Sequence, residues 1–171
     1  MFSVGELVMY GQIGVCRIQE IAVPSFCDPG ENRQYYVLEP LHQNGTVFVP
    51  VDAKVSIRRV INKQEADRLI DLIPTMARQD FDGASLQELK QHYADALRSQ
   101  DCGDLIELII SIYDKKQRRI QNNQKVGSID EDAMRRAEEL LYSELAVALD
   151  LPGDQVQKYI AARVKGMPAR A

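Results

Sequence analysis

Residues 14–21 read Gly14-Val15-Cys16-Arg17-Ile18-Gln19-Glu20-Ile21, and their side chains alternate between apolar and polar. A period of two is typical of a β-strand with one buried face. Other short runs, rich in β-branched and aromatic residues and bounded by turn residues, lie at 7–10, 34–39, 46–49 and 56–61. Five such runs in about 60 residues predict a small, strongly bent sheet or barrel.

The third and fourth of these runs form a predicted hairpin. The dipeptide Asn44-Gly45 between them favours a type I′ turn, because both central residues of that turn need positive φ. Alternation then places apolar or aromatic side chains on both faces: Tyr36, Leu38, Val47 and Val49, against Tyr35, Val37, Phe48 and Thr46. One interpretation is packing of the second face against the helical region. The other is an exposed edge that receives a strand from a partner protein.

After Ile61 the spacing of the apolar residues becomes helical. Capping-box patterns predict helix starts at Asn62, Ser85 and Ser128. A further helix carries Leu105 and Ile112 and is expected to end near Lys115, and a last one begins at Pro152. We therefore predict an α+β protein. Residues 1–61 form a β-barrel, and the helical domain at 62–171 comprises a connecting helix and loop (62–84) and a bundle (85–165).

Composition narrows the classes of function. The net charge is −4, divided as −1 over residues 1–61 (5 basic, 6 acidic) and −3 over 62–171 (16 basic, 19 acidic). Contact with nucleic acid would therefore need a local basic patch. The sequence shows neither a leader pattern nor an apolar run long enough to span a membrane, and its three cysteines are widely spaced. We expect a cytoplasmic protein with free cysteines and no metal site.

No arrangement of residues indicates catalysis. The two histidines, His42 and His92, lie in different regions and have no serine, cysteine or acid at a recognisable spacing. The glycines of Gly11-Gln12-Ile13-Gly14 join two strands, whereas a phosphate-binding loop joins a strand to a helix. We therefore expect no catalytic residues, no cofactor and no small-molecule substrate.

One segment is strongly basic. Residues 115–125 carry five cations and no carboxylate, with amide side chains between them: the cations are Lys115, Lys116, Arg118, Arg119 and Lys125. Such a segment suits contacts to phosphate oxygens. It equally suits the solvated end of a helix, where cations interact favourably with the helix dipole.

The opening of the chain reads Phe2-Ser3-Val4-Gly5-Glu6-Leu7-Val8-Met9-Tyr10-Gly11-Gln12-Ile13-Gly14-Val15. It resembles the start of the CarD/CdnL family of bacterial transcription regulators, roughly F-x-V-G-D-x-V-V-Y-x-x-x-G-V. The likeness continues at 35–38, 47–51 and 57–58, and more loosely in the helical region at Tyr93, Gly103-Asp104 and 137–149. The transcription-repair coupling factor contains the same β module beside a helicase motor, so the resemblance here is to the stand-alone type.

The resemblance implies a Tudor- or SH3-like barrel that docks on the β subunit of RNA polymerase. It also implies a helical domain beside upstream promoter DNA, and modulation of promoter opening. The polymerase contacts would be Tyr35, Val47, Phe48 and Val49, and the basic segment would make weak, non-specific contacts to promoter DNA. The family's tryptophan wedge corresponds to Leu89, which also fits the buried face of its helix, and an arginine of the polymerase-facing strand corresponds to Phe48. The alternative is a protein-interaction module that binds polymerase or another partner without contacting DNA.

Overall fold

The structure is a computed structural model that describes residues 1–53, 57–81 and 83–165. The chain divides into two compact units, Met1–Val60 and Ile61–Ala171. The first unit is a β-sheet and the second is helical, which confirms the predicted α+β class. The start of the fifth predicted strand at Ser56, residue 82 of the predicted loop and the predicted domain's last residues, 166–171, lie outside the described residues.

The described residues of the first unit form five antiparallel strands. They are β1 (Leu7–Tyr10), β2 (Gly14–Ala22), β3 (Tyr35–Pro40), β4 (Val47–Pro50) and β5 (Ile57–Arg59). Their order in the sheet is β4-β3-β2-β1-β5, so β4 and β5 are the edge strands. Across the described residues these edges do not pair with each other, and the sheet is open where a closed barrel was predicted. Closure depends on strand tilt and stagger, which apolar alternation does not determine.

The connection between β3 and β4 differs from the predicted type I′ turn. The two strands are joined by the six residues 41–46, and Leu38 is paired with Val47. Gly45 has a φ of 115°, but Asn44 is not among the described residues with positive φ, so the predicted type I′ turn is wrong. The predicted division of the two faces nevertheless holds, because register depends on the alternation of the strands themselves.

One face of the sheet forms the core of the first unit. Its buried side chains are Val8, Cys16, Ile18, Tyr36, Leu38 and Val49. The backbone N–H of Phe2 donates to the Tyr36 hydroxyl at 3.1 Å, and the two rings pack edge to face. Burial raises the pKa of the Cys16 thiol to about 11, so this cysteine stays protonated and acts as a small apolar side chain.

Within the part of the second unit that the structure describes there are five α-helices. They are α1 (Lys63–Leu72), α2 (Leu86–Ser99), α3 (Cys102–Gln121), α4 (Ser128–Leu149) and α5 (Val156–Lys165). Capping boxes are present at Asn62 and at Ser85, as predicted. The predicted box at Ser128 is wrong, because Gly127 is the N-cap and makes no side-chain bond. None of the described helices combines the length and apolar character that a membrane crossing requires.

Helix α3 continues beyond its predicted end near Lys115 and reaches Gln121. The segment therefore belongs mainly to the last turns of a helix, and only its end is a connection. Cations in that position stabilise a helix through its dipole, so the run of positive charge lies in the last turns of the helix and its first residue does not mark the helix end.

Candidate protein interface

The outer face of the β3–β4 hairpin carries exposed apolar side chains. Phe48 lies on β4, is 42% exposed, and is paired in register with Val37 on β3. Tyr35, two residues earlier on β3, lies on the same face and is half-buried. This face is therefore partly apolar at the point where the sheet ends.

A third aromatic residue completes this surface from the loop between β2 and β3. Phe26 is 60% exposed, and its ring centroid lies 5.2 Å from that of Phe48 and 5.5 Å from that of Tyr35. The interplanar angles of 87° and 82° are the edge-to-face geometry that aromatic pairs prefer. We call Phe26, Tyr35 and Phe48 the aromatic cluster. A group of exposed apolar side chains of this kind marks an interaction surface.

The backbone of β4 offers hydrogen-bonding groups beside the aromatic cluster. The N–H of Val51 donates to the carbonyl of Gln34 at 3.0 Å, which continues the β3–β4 ladder by one pair. Hydrogen-bonded and non-hydrogen-bonded pairs alternate along an antiparallel ladder. Val49 and Val47 are therefore bonded to β3, while the N–H and C=O of Phe48 point away from it.

Pairing along this edge ends at Pro50. Proline has no N–H, and the Pro50 carbonyl accepts a hydrogen bond from the N–H of Ala53 at 3.1 Å. An incoming strand can therefore form a reciprocal pair of hydrogen bonds with Phe48 but not with Pro50. The donor and acceptor of Phe48 and its exposed ring lie at the same position of the strand.

Two of the four polymerase contacts predicted from the sequence lie on this surface. Tyr35 and Phe48 face outward, but Val49 is buried in the core and Val47 packs against that core. Val47 and Val49 therefore support the edge strand from below and do not offer side chains to a partner. Phe26 was missed by the sequence reasoning. Its one signal is a large apolar side chain inside a loop that also contains Pro24, Pro29 and Gly30.

Charged side chains surround the aromatic cluster. Arg33 Nε donates to Asp52 Oδ1 at 3.0 Å, and the Arg33 guanidinium lies 5.9 Å from the centroid of the Tyr35 ring. Burial and the carboxylates of Glu31 and Asp28 raise the pKa of the Cys27 thiol, which follows Phe26 in the chain. Asp28 and Glu31 therefore act on Cys27, the residue that follows Phe26 in the chain.

The predicted phosphate-binding residues are not brought together as one free basic patch. Lys115 is only 3% exposed, and its Nζ lies 3.1 Å from Asp130, which also accepts a hydrogen bond from the Tyr93 hydroxyl at 2.6 Å. Burial and this hydrogen bond raise the pKa of Tyr93. Lys115 is therefore a core residue and does not make the predicted contact to phosphate groups. A cation on a helix can face inward when a buried carboxylate pairs with it.

The other four cations remain at the surface, but most are engaged. Lys116 lies 3.9 Å from Glu131 and Arg118 lies 3.6 Å from Asp80. Arg119 donates to the carbonyl of Lys125 at 3.1 Å, so these two residues are adjacent in space. The long ion pair of Arg118 is exposed on both sides and therefore weak, whereas Lys116 is half-buried.

The structure also shows where the predicted wedge residue lies and how the potential metal-ligating side chains are arranged. Leu89 is 8% exposed and belongs to the core cluster of the helical unit, while Leu86, one turn earlier, is exposed. This burial agrees with the helical stripe on which Leu89 lies. Across the described ranges, no group of three or more His, Cys, Asp or Glu side chains is arranged to hold a metal ion.

Residues 2–61 match the family model of the CarD-like/TRCF RID domain. The match confirms the resemblance of the N-terminal segment at the level of this domain. It covers all five strands and includes every residue of the aromatic cluster, and the helical unit beyond Ile61 lies outside it. A comparison with curated proteins finds no match.

Proposed function

We propose that this chain binds the β subunit of bacterial RNA polymerase through the exposed edge of β4. Domains of the CarD-like/TRCF RID family interact with that subunit. The observation that carries the proposal is the coincidence, at Phe48, of an unpaired backbone position and an exposed aromatic cluster on the segment that matches this domain.

Strand addition explains how such a surface recognises a partner. Backbone hydrogen bonds to Phe48 supply affinity without regard to sequence, and contacts with neighbouring side chains supply specificity. The aromatic rings contribute large contact areas at low cost in conformational entropy. Because pairing cannot continue at Pro50, the register of the incoming strand is fixed relative to the cluster.

A titration of the full chain with purified β subunit, followed by calorimetry, tests the proposal. We expect a saturable complex with one chain per subunit, and a negative heat-capacity change from burial of the aromatic cluster. A dissociation constant of about 1 mM corresponds to a binding free energy of about −4 kcal/mol. Absence of binding at concentrations up to about 1 mM would show that the β subunit is not the partner.

We propose more specifically that the chain is a stand-alone CarD/CdnL-type regulator. Its sheet would be Tudor-like, it would act in the cytoplasm, and it would modulate open-complex formation without catalysing a reaction. Binding one state of the promoter complex more tightly than the other shifts the opening equilibrium without any chemical step. The helical unit would lie beside upstream promoter DNA, with Lys116, Arg118, Arg119 and Lys125 as its phosphate contacts.

The alternative is a module that binds polymerase without contacting DNA. Two observations favour it: the burial of Lys115 against Asp130, and the carboxylates beside Lys116 and Arg118. Both reduce the positive field that would attract a phosphate backbone. A direct measurement of DNA binding separates the two forms of the proposal.

If the helical unit contacts DNA, we expect weak binding to duplex DNA, with a dissociation constant of about 10⁻⁴–10⁻⁶ M. Neutralising two to four phosphates gives a slope of log K against log salt of roughly −2 to −4. The joint variant Lys116→Gln, Arg118→Gln, Arg119→Gln and Lys125→Gln should lose both the affinity and the slope. Fluorescence anisotropy at several salt concentrations measures both.

The matched control neutralises four other exposed cations of the helical unit with Lys90→Gln, Arg98→Gln, Arg135→Gln and Lys158→Gln. This control should bind DNA like the parent chain. If the parent shows no binding even at low salt while polymerase binding is intact, the module without DNA contact is correct.

A further inference from the structure

Resting on the proposed function, we infer the chemistry of the partner segment that β4 receives. It is an extended segment with a large apolar side chain opposite Phe48 and basic side chains on either side of that position. These features specify which strands of the subunit the β4 edge can accept.

The apolar position follows from the geometry of strand pairing. Residues that form a hydrogen-bonded pair across an antiparallel ladder place their side chains on the same face. A residue paired with Phe48 therefore lies beside the Phe48 ring, on the face that Phe26 and Tyr35 share. A carboxylate or amide placed there would lose its water against the Phe26 and Phe48 rings, which carry no hydrogen-bonding group.

The basic positions follow from the charges around the aromatic cluster. Residues 23–53 contain four carboxylates and one guanidinium, a formal net charge of −3 from Asp28, Glu31, Glu39, Asp52 and Arg33. On the neighbouring strand β2, Arg17 is paired in register with Glu39 and Glu20 with Val37, so β2 adds one charge of each sign and the net excess remains. The guanidinium is itself bonded to Asp52.

These carboxylates are open to solvent on the first unit. Glu39 lies on β3 two residues from Val37, accepts a hydrogen bond from the neutral amide of Gln19, and is paired in register with Arg17 of β2. Asp28 and Glu31 follow Phe26 in the loop, and all three carboxylates are exposed. At physiological salt the screening length is about 8 Å, so carboxylates within that distance of a docked strand act on it most strongly.

The same rim argues against a second copy of this chain as the occupant. Two copies paired through β4 would bring two surfaces of net charge −3 together, and like charges across an interface oppose association. A segment with lysine or arginine beside its apolar residue meets both the rings and the carboxylates with complementary groups. Charge complementarity therefore selects a basic, apolar strand of a different protein.

The first test neutralises the rim in the full chain with Asp28→Asn, Glu31→Gln and Glu39→Gln together. We expect binding to the polymerase β subunit to weaken by roughly 3- to 10-fold at low ionic strength, chiefly through a slower association rate. The salt dependence of the rate should become flatter. The matched control makes the same change of charge in the helical unit with Asp95→Asn, Glu107→Gln and Asp154→Asn, and should bind like the parent.

The second test uses peptides, so that it does not depend on the polymerase. One short extended peptide alternates valine with lysine, and the other alternates valine with glutamate; chemical shifts of the Phe48 amide report binding to the full chain. We expect the lysine peptide to shift this amide and the glutamate peptide to leave it unchanged. The Phe48→Asp variant should lose the response.

The outcomes of these tests are distinct. Binding of the lysine peptide without binding of the β subunit supports the inferred chemistry and removes the polymerase from the proposal. Binding of the β subunit with no loss in the neutralised variant, or with equal binding of both peptides, overturns the inferred basic partner. A dimer of the parent that Phe48→Asp dissociates also overturns it, because a second copy would then occupy β4.

Discussion

Phe48→Asp is expected to weaken binding of the chain to the RNA polymerase β subunit by at least about tenfold, since a change of 1.4 kcal/mol corresponds to a factor of ten. A carboxylate at this position would be desolvated against an apolar partner side chain and beside Phe26, and it would add to the negative rim. Surface plasmon resonance or calorimetry with the purified subunit measures the loss.

The fold should survive this change, because Phe48 is already 42% exposed. Unchanged circular dichroism and melting temperature would establish that the loss arises in binding. The matched control is Leu72→Asp at the end of α1, where a leucine is 47% exposed. Equal binding by both variants and the parent would place the interface elsewhere on the molecule.

Asp130→Ala is expected to lower the free energy of unfolding by about 3–5 kcal/mol. Asp130 accepts hydrogen bonds from Lys115 and Tyr93, and the two charged side chains are almost fully buried. Removing the carboxylate leaves the Lys115 ammonium buried without its partner, and leaving a charge uncompensated costs more than the pair itself contributes. Denaturation in urea measures the change.

The control is Asp132→Ala, two residues along the same helix. Its carboxylate pairs with Arg135 at the surface, so the loss should stay below about 1 kcal/mol. Replacing both members of the buried pair, with Lys115→Met and Asp130→Leu, should recover much of the stability lost by Asp130→Ala, because apolar side chains of similar volume need no counter-charge. A loss for Asp130→Ala as small as that for Asp132→Ala would show that the buried pair does not hold the helices together.

The parts of the fold that follow from local patterns could be predicted from the sequence. The alternation along β2 identifies the strand and its buried face, and the capping boxes at Asn62 and Ser85 identify two helix starts. These signals depend on hydrogen bonds and packing within a few residues of the chain. The capping box predicted at Ser128 is wrong for an equally local reason. Gly127, one residue earlier, has the extended backbone of an N-cap.

The parts that depend on distant residues could not be predicted in this way. Lys115 lies in a run of cations, and its side chain is buried because it forms an ion pair with Asp130 of the next helix. Phe26 belongs to the aromatic cluster because the loop folds back over β3 and β4, a placement that no spacing in the sequence encodes. Whether the sheet closes is likewise a property of all five strands together.

If a strand of the polymerase β subunit pairs with β4 at Phe48, as we propose, hydrogen exchange of single amides reveals it most directly. In the free chain the Phe48 N–H points to the open edge and should exchange rapidly, while the Val49 N–H, bonded to β3, should exchange slowly. Adding the β subunit should slow exchange at Phe48 strongly and leave Val49 slow. A complex that forms with the Phe48 amide still exchanging at its free rate would contradict strand addition at this edge.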